Sequence, residues 1–399
     1  MRKIREHLMQ GLFALSGSVT SLAIILIIIF LFKEGLGLFR SSQIEKGYVL
    51  AVNVSNPVGA LDSRQIKEIF DYAYTNWAEI GGKDAEIIPF RFEEIFSIYD
   101  ETELGNDYEL LPGKLGELIA SEPNILAFLP ERYAPKENAD VRILPLRTIS
   151  PRSFFGGIEW MPTATPAAQF GVFPLIMGTL WVSFFAILIA LPLGLGVAIY
   201  LSELADERMR KLLKPAIELL AGIPSVVYGF FGLVVLVPLI QRALNLPVGE
   251  TALAGSLILA IMALPTIITI AEDAMRATPK AMREASLALG ATHWQTIYRV
   301  IVPYASSGIM AAVVLGIGRA IGETMAVLMV TGNAAVMPRS MFESVRTIPA
   351  TIAAELGEAP SGGTHYQSLF LLGCILFLIT MVVSISAEII SKQPINKGL

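Results

Sequence analysis

Two charged residues, Arg319 and Glu323, lie inside an otherwise apolar stretch of the sequence, residues 309–330. An ionisable side chain at the centre of a membrane helix costs about 2.5–3.5 kcal/mol on insertion scales, so it indicates a functional site. The four-residue spacing places both on one face of a predicted helix, where they can pair. Two interpretations stay open. Either the pair only locks two helices together, or Arg319 meets a permeating anion and Glu323 holds or releases it, because a guanidinium fork suits a tetrahedral oxyanion.

The composition places these charges in a membrane protein. The chain has 399 residues, of which 54% are hydrophobic and only 16% are charged, against about 25% charged in ordinary globular proteins. This excludes a disordered chain, a nucleic-acid-binding protein and a typical soluble enzyme. The sequence holds one cysteine, Cys374, and three scattered histidines, so we expect no metal site and no other cofactor.

Six apolar stretches are long enough to cross a bilayer, which takes about 20 helical residues. They are residues 11–32, 173–201, 219–240, 253–270, 309–330 and 369–389. The first is longer than the apolar region of a secretory signal and lacks a cleavage site, so we expect it to remain as an anchor. The sequence therefore predicts an all-α polytopic membrane protein with six transmembrane helices.

Basic residues set the orientation of these spans. With a cytoplasmic N-terminus, the inside segments carry 13 basic residues, whereas the short outside loops carry three. We therefore expect both termini in the cytoplasm, with residues 1–43 as N-terminus and anchor and residues 391–399 as a tail. The inside residues are Arg2, Lys3, Arg5, Arg208, Arg210, Lys211, Lys214, Arg276, Lys280, Arg283, Arg299, Lys392 and Lys397, and the outside ones are Arg242, Arg339 and Arg346.

Several acidic residues lie next to the predicted spans rather than inside them. Glu218 begins the third stretch, and Lys214 lies one helical turn before it. We expect these two to form a surface pair at the membrane interface. Glu272 and Asp273 follow the fourth stretch, and we expect them to be solvated charges at a helix end.

The longest inside loop, residues 271–307, contains a predicted short helix. Pro279 suits its first turn, and Gly290 suits the left-handed position after its end. Between them, apolar residues recur at three- and four-residue spacing and form a small stripe. A second amphipathic piece is expected over residues 294–302. Periodicity leaves two interpretations open, a helix on the membrane surface or a docking helix for a cytoplasmic partner.

This loop resembles the EAA loop of ABC importer permeases, whose pattern is Glu-Ala-Ala, three residues, Gly, nine residues and Ile-x-Leu-Pro. The spacing matches at every step, with conservative departures at Ser286, Val300 and Val302. In that family the loop sits in a groove of the ATPase subunit and transmits its closure. The resemblance therefore implies an ATPase-coupling role for Glu284, Ala285, Ser286, Gly290 and Pro303.

Two further segments are similar to PstC-type permeases of bacterial phosphate importers. They are residues 221–229, with the sequence AGIPSVVYG, and residues 318–327, with the sequence GRAIGETMAV. The likeness covers roughly residues 170–389. It implies the type I ABC importer permease (MetI-like) fold for residues 170–390, with the coupling loop at 271–307. It also implies a role in substrate translocation for Arg319 and Glu323.

The same resemblance implies a permease subunit of an ATP-driven phosphate importer in the bacterial inner membrane. Phosphate would be the transported substrate, and a PstA-type permease would complete a heterodimer. A PstB-type ATPase would dock at the cytoplasmic loop, and a PstS-type periplasmic phosphate-binding protein would deliver the substrate. The sequence has no Gly-x4-Gly-Lys-Ser/Thr motif, so we expect a transport subunit rather than an enzyme, with hydrolysis on the ATPase partner.

Residues 44–169 interrupt the apolar pattern as a soluble insert between the first two spans. Between Lys33 and Gln169 there are 13 basic and 21 acidic residues. Alternation predicts strands over 48–54, 86–92, 125–129 and 141–146, and helices over 63–73, capped by Asp62, and over 113–121. The insert is thus a small extracytoplasmic α/β domain. Some short sequence segments of the insert are similar to segments of periplasmic phosphate-binding proteins. No phosphate-binding loop follows Arg91, however, so no ligand residue is assigned.

Two alternatives to phosphate transport stay open at this point. One is a permease for another oxyanion, such as molybdate or sulfate. The other is a non-transporting membrane sensor with an extracytoplasmic ligand domain. The coupling loop and the charges within the fifth stretch argue against a sensor, which needs neither. Only the PstC-like segments separate phosphate from other oxyanions.

Overall fold

The computed structural model describes residues 2–105, 107–136 and 138–392, so residues 393–399 of the predicted tail, with Lys397, lie outside the described residues. The chain divides into two compact units. One, the helical unit, comprises the chain up to Gly35, Phe173–Ala359 and the chain from Leu369. The other, the α/β unit, comprises Leu36–Val172 and Pro360–Ser368. The predicted insert, residues 44–169, falls within the range of the α/β unit.

Five helices in the described part of the chain are long and apolar enough to cross a membrane. A sixth candidate is a bent pair, His293–Tyr304 and Ser306–Gly322, with 70° between its halves. We number the spans one to six in chain order, with Ser306–Gly322 as the fifth. The other five are Met9–Arg40, Phe173–Leu204, Ser225–Leu244, Ala252–Arg276 and Thr364–Ser386, the last within a longer helix, Thr364–Lys392.

The third span begins later than predicted. Residues 219–224 belong instead to the end of a separate amphipathic helix, Glu207–Gly222, and a short connection. Ile223 is extended, with φ −69° and ψ 127°, because a residue that precedes proline is disfavoured in the helical region. We call Glu207–Gly222 the surface helix, since it has no fully buried residue.

The predicted helix over residues 309–330 is broken. The fifth span ends at Gly322, Glu323 is extended with φ −71° and ψ 131°, and a short helix, Met325–Val330, follows. The continuous fifth helix was therefore a wrong prediction. Gly318 and Gly322 occupy its last two turns, and glycine is among the weakest helix formers.

The fourth span is the centre of the helical unit. It packs against the second and fifth spans, and more than half of its residues are buried. Glycines allow the second and fifth spans to approach the fourth closely. A Cβ on Gly194 would lie 2.8 Å from Cγ2 of Ile267, and a Cβ on Gly316 would lie 2.9 Å from Cγ1 of Ile267. Such small residues at helix contacts are typical of membrane bundles.

The α/β unit contains a four-stranded sheet in the order β2-β3-β1-β4. Strand β1 is antiparallel to β3 and β4, whereas β2 and β3 are parallel. All four predicted strands are confirmed, with shorter bounds in three of them. The bounds are Tyr48–Asn53 for β1, Ile88–Arg91 for β2, Ile125–Pro130 for β3 and Val141–Ile143 for β4.

Helices of the α/β unit follow the predicted pattern. Asp62 caps the first, since its Oδ1 accepts a hydrogen bond from the backbone N–H of Gln65 at 2.8 Å. Gln65 Oε1 accepts one in return from the N–H of Asp62, which completes a capping box. The longer helices are Ser63–Phe70 and Leu111–Ser121, with shorter ones at Ile95–Ile98, Glu101–Leu104 and Pro151–Gly156, and a two-stranded sheet of Trp160–Met161 and Gln169–Phe170.

Candidate functional site

Arg319 lies in the last turn of the fifth span and reaches the fourth. Its Nη1 donates a hydrogen bond to Oγ1 of Thr266, at 3.2 Å. The side chain is half-buried. Within the part of the chain that the structure describes, no carboxylate lies within 4 Å of the guanidinium. Most of its donors, and its positive charge, therefore remain available for another group.

Glu323 does not pair with Arg319 among the described residues, so the geometry does not support the helix-locking ion pair, one of the two interpretations that the sequence leaves open. The helix ends at Gly322, between the two residues, which removes the i,i+4 geometry. Glu323 faces the start of the next helix instead, with Oε1 3.5 Å from the backbone N of Ala326. A carboxylate is favourable there because the N-terminal end of a helix carries partial positive charge. No cationic side chain within the described ranges lies within ion-pair distance of it.

The end of the fifth span, next to the helix break at Glu323, is exposed on one face. Gly318 and Gly322 are exposed, and a Cβ built on either meets no atom within 4 Å. The two lie four residues apart, on the same face of the helix, and Gly318 immediately precedes Arg319. A small ligand or a partner helix can therefore approach the backbone at this face.

The two segments that resemble PstC-type permeases pack against each other. Gly229, the last residue of the first segment, contacts the helix Met325–Val330: a Cβ on it would lie 3.0 Å from Cα of Ala326 and 2.8 Å from Sδ of Met329. Tyr228 donates a hydrogen bond from its hydroxyl to the carbonyl of Leu220, at 2.8 Å. The third span thus supports the chain directly after Glu323.

The loop predicted to dock a partner has the expected form. A helix runs over Lys280–Ala288, and we call it the loop helix. Gly290 follows it with φ +82°, which confirms the predicted left-handed position. Leu289 is 90% exposed, and Trp294 and Met282 are also exposed. The second amphipathic piece forms a helix over His293–Tyr304.

The predicted coupling residues differ in their surroundings. Glu284 and Ala285 are exposed on the loop helix. Ser286 is half-buried, and its Oγ lies 2.9 Å from Oγ1 of Thr296 in the following helix. Pro303 is half-buried just before the chain bends by 70° into the fifth span. The exposed members can contact a partner, whereas Ser286 and Pro303 shape the loop itself.

The sequence did not predict a buried charge cluster near the C-terminal end of the fourth span. Glu272 is 1% exposed, so the expectation of a solvated charge is wrong for it. Its carboxylate lies 3.0 Å from Nη2 of Arg210, 3.1 Å from Nζ of Lys214 and 3.6 Å from Nη1 of Arg276. Lys214 also contacts Asp273, at 3.2 Å, rather than the predicted Glu218.

The cluster joins the surface helix to the fourth span. Burial alone would lower the pKa of Lys214, but hydrogen bonds to Glu272 and Asp273 outweigh it, and the pKa is raised. Lys214 therefore stays charged at neutral pH. The signal in the sequence was the pair of basic residues one turn apart, Arg210 and Lys214, which lie on one face of an amphipathic helix.

A family model described as "Binding-protein-dependent transport system inner membrane component" matches residues 190–394, slightly more than half of the chain. The chain belongs to this family. It is therefore a multi-pass protein of the inner membrane with the MetI-like permease fold, and the predicted fold class is confirmed. Members are transport subunits without enzymatic activity of their own, and the ATPase is a separate partner.

Individual relatives match the permease part of the chain. The probable ABC transporter permease protein YqgH of Bacillus subtilis (strain 168) is 43% identical over 245 residues, which is 61% of this chain and 79% of the relative. The phosphate transport system permease protein PstC of Pasteurella multocida (strain Pm70) is 39% identical over 266 residues, 62% of this chain and 82% of the relative. A chain of the inward-facing MetNI methionine ABC transporter is 18% identical, with a TM-score of 0.45, over 55% of this chain and 96% of that one.

Proposed function

We propose that this chain is a permease subunit of an ATP-driven phosphate importer and forms part of its translocation pathway. The observation that carries the proposal is the 39% identity over 266 residues to a phosphate transport system permease. The contact between the two PstC-like segments, through Gly229 and Ala326, supports their acting together. Membership in a transport family also argues against the alternative function as a membrane sensor.

In this proposal Arg319 meets the permeating phosphate. Its guanidinium is bound only by the neutral hydroxyl of Thr266 among the described residues, so no carboxylate competes for its charge. The planar fork of donors can bind two phosphate oxygens at once. Glu323 contributes negative charge four residues further on, which opposes tight anion binding and so favours release.

The loop helix is the proposed docking element for a PstB-type ATPase. Its residues Glu284 and Ala285 are exposed, and Leu289 next to it is almost fully exposed. A large apolar side chain in contact with water is costly, and burial under a partner would recover about 1.5–3 kcal/mol for such a residue. A PstA-type permease and a PstS-type phosphate-binding protein complete the proposed importer.

The proposed orientation has the α/β unit outside and the loop helix inside. The distribution of basic residues supports this orientation, with 13 in the inside segments and three in the short outside loops. Asp100→Cys and Lys211→Cys, both at exposed positions, test it in a Cys374→Ala background. The first should react with an impermeant maleimide in intact spheroplasts and the second only after lysis. Labelling of the second without lysis would reverse the topology.

Uptake of radiolabelled phosphate, with and without this gene, tests the proposed function. We expect gene-dependent uptake that excess arsenate inhibits and that sulfate and molybdate do not. Inhibition by molybdate or sulfate instead of arsenate would assign the chain to that oxyanion.

A further inference from the structure

One arginine of the loop helix contacts two spans at once. Nη2 of Arg283 donates a hydrogen bond to Oε1 of Glu203, at 2.9 Å, and another to the backbone carbonyl of Met275, also at 2.9 Å. Glu203 lies in the last turn of the second span, and Met275 is the penultimate residue of the fourth. A single guanidinium therefore joins the loop helix to the inner ends of both.

This ion pair is shielded from water. The side chain of Glu203 is 10% exposed and that of Arg283 is 24% exposed. A pair in such surroundings is screened less by solvent and salt than a surface pair is. The carbonyl of Met275 adds to the attraction, since the C-terminal end of a helix carries partial negative charge. The contacts of Arg283 can therefore transmit a displacement of the loop helix to the second and fourth spans.

Few other polar contacts tie the loop helix to the rest of the unit. No residue of Lys280–Ala288 is fully buried. Apart from Arg283, the side-chain hydrogen bond from this helix within the described residues is that between Ser286 and Thr296. It leads to the helix that follows the loop helix, not to the second or fourth span.

The fourth span connects this link to the candidate anion site. Thr266, which binds Arg319, lies nine residues before Met275 in the same helix. At 1.5 Å per residue, the two are about 14 Å apart along the helix axis. A displacement applied at Met275 therefore reaches the partner of Arg319 through one continuous helix.

We propose that Arg283 is a positioning residue that transmits movement of the loop helix to the second and fourth spans, and through Thr266 to Arg319. This proposal rests on the proposed function, because it assumes that an ATPase moves the loop helix. Loss of the guanidinium should separate ATP hydrolysis from transport while the ATPase remains bound. Arg283 would then differ from the exposed residues of the loop, which would contact the ATPase directly.

The test compares Arg283→Gln and Glu203→Gln with Lys211→Gln, which breaks an exposed ion pair with Glu207 on the surface helix, outside the loop helix. Each is purified as the complete importer and reconstituted, and ATPase copurification, ATP hydrolysis and phosphate uptake are measured. We expect Arg283→Gln to keep its ATPase and to lose about tenfold in uptake per ATP, within the usual range of coupling between sites. Lys211→Gln should match the unmodified complex. The exchange of Arg283→Glu with Glu203→Arg should restore part of the uptake.

A second measurement does not depend on the transported substrate. Gly318→Cys, in a Cys374→Ala background, places a thiol on the exposed face next to Arg319, and its maleimide labelling rate is compared with and without ATP. We expect ATP to change this rate, and Arg283→Gln to abolish the change. Loss of the ATPase from Arg283→Gln, or an unaltered ATP response, would overturn the proposal. Absence of phosphate uptake by the unmodified complex would overturn the proposed function alone, because the labelling still reports the link.

Discussion

Glu272 and Glu323 both border apolar helices, yet their surroundings are opposite. Glu272 is almost completely buried and contacts Arg210, Lys214 and Arg276. Glu323 is half-buried at a helix break and has no cationic partner among the described residues. The first carboxylate is neutralised by the protein, whereas the second is not.

The difference separates charges that hold the protein together from charges that are free to act on a ligand. A buried carboxylate with several cations is a structural connection, because removal of one member leaves the others uncompensated. An unpaired charge near a helix break contributes little to packing, so another role must explain it. The same reasoning applies to Arg319, whose hydrogen-bond partner among the described residues is the neutral Thr266.

The largest effect is expected from Glu272→Gln. This change leaves Arg210 and Lys214 without their buried partner, and a broken buried pair costs about 3–5 kcal/mol. We expect a large loss of folded protein, measured as membrane abundance and as thermal unfolding in detergent. Asp273→Asn is the matched control, because this neighbour is 63% exposed, and it should change abundance little. Equal effects of the two substitutions would remove the distinction drawn for Glu272.

A smaller effect is expected from Gly229→Ala, which tests how the segment after Glu323 is supported. The new Cβ would lie 3.0 Å from Cα of Ala326, and overpacking of this kind costs about 1–3 kcal/mol. We expect a lower unfolding temperature and reduced uptake. Gly222→Ala, a few residues earlier, meets nothing within 4 Å and should be neutral. If Gly229→Ala is equally neutral, the contact does not position the break.

The smallest effect on stability is expected at Gly290, at the end of the loop helix. Its φ of +82° costs a residue with a side chain about 1–2 kcal/mol, although the space around it is open. Gly290→Val should therefore weaken copurification of the ATPase more than it lowers the unfolding temperature. Gly290→Asn is the control, since asparagine tolerates this conformation better. Normal copurification and uptake by Gly290→Val would show that the loop does not couple the ATPase.

Features with local causes could be predicted from the sequence. The strands follow from alternating apolar residues. The cap follows from the short carboxylate of Asp62, which accepts a hydrogen bond from the backbone N–H three residues later. The conformation of Gly290 follows from its place after a short helix. Each depends on neighbours within a few residues. The apolar spans were equally visible, because their composition alone excludes them from water.

Features that depend on distant partners could not be predicted. Glu272 is buried because the surface helix brings Arg210, 62 residues away, against it. The ion pair of Arg319 with Glu323 was one of two interpretations of their four-residue spacing. It does not form, because the helix ends at Gly322 and Arg319 donates its hydrogen bond to Thr266, 53 residues away. No periodicity within either segment reveals these contacts.

Phosphate uptake and membrane abundance of Arg319→Gln, Glu323→Gln and the double mutant test the central claim most directly. Because the two side chains do not pair, neither single change leaves an uncompensated partner. We expect all three variants at near-normal abundance, with uptake lost in Arg319→Gln and not restored in the double mutant. Arg319→Lys should recover little, because it keeps the charge but loses the planar fork. Restored uptake in the double mutant would contradict the account and assign the two residues to a helix lock.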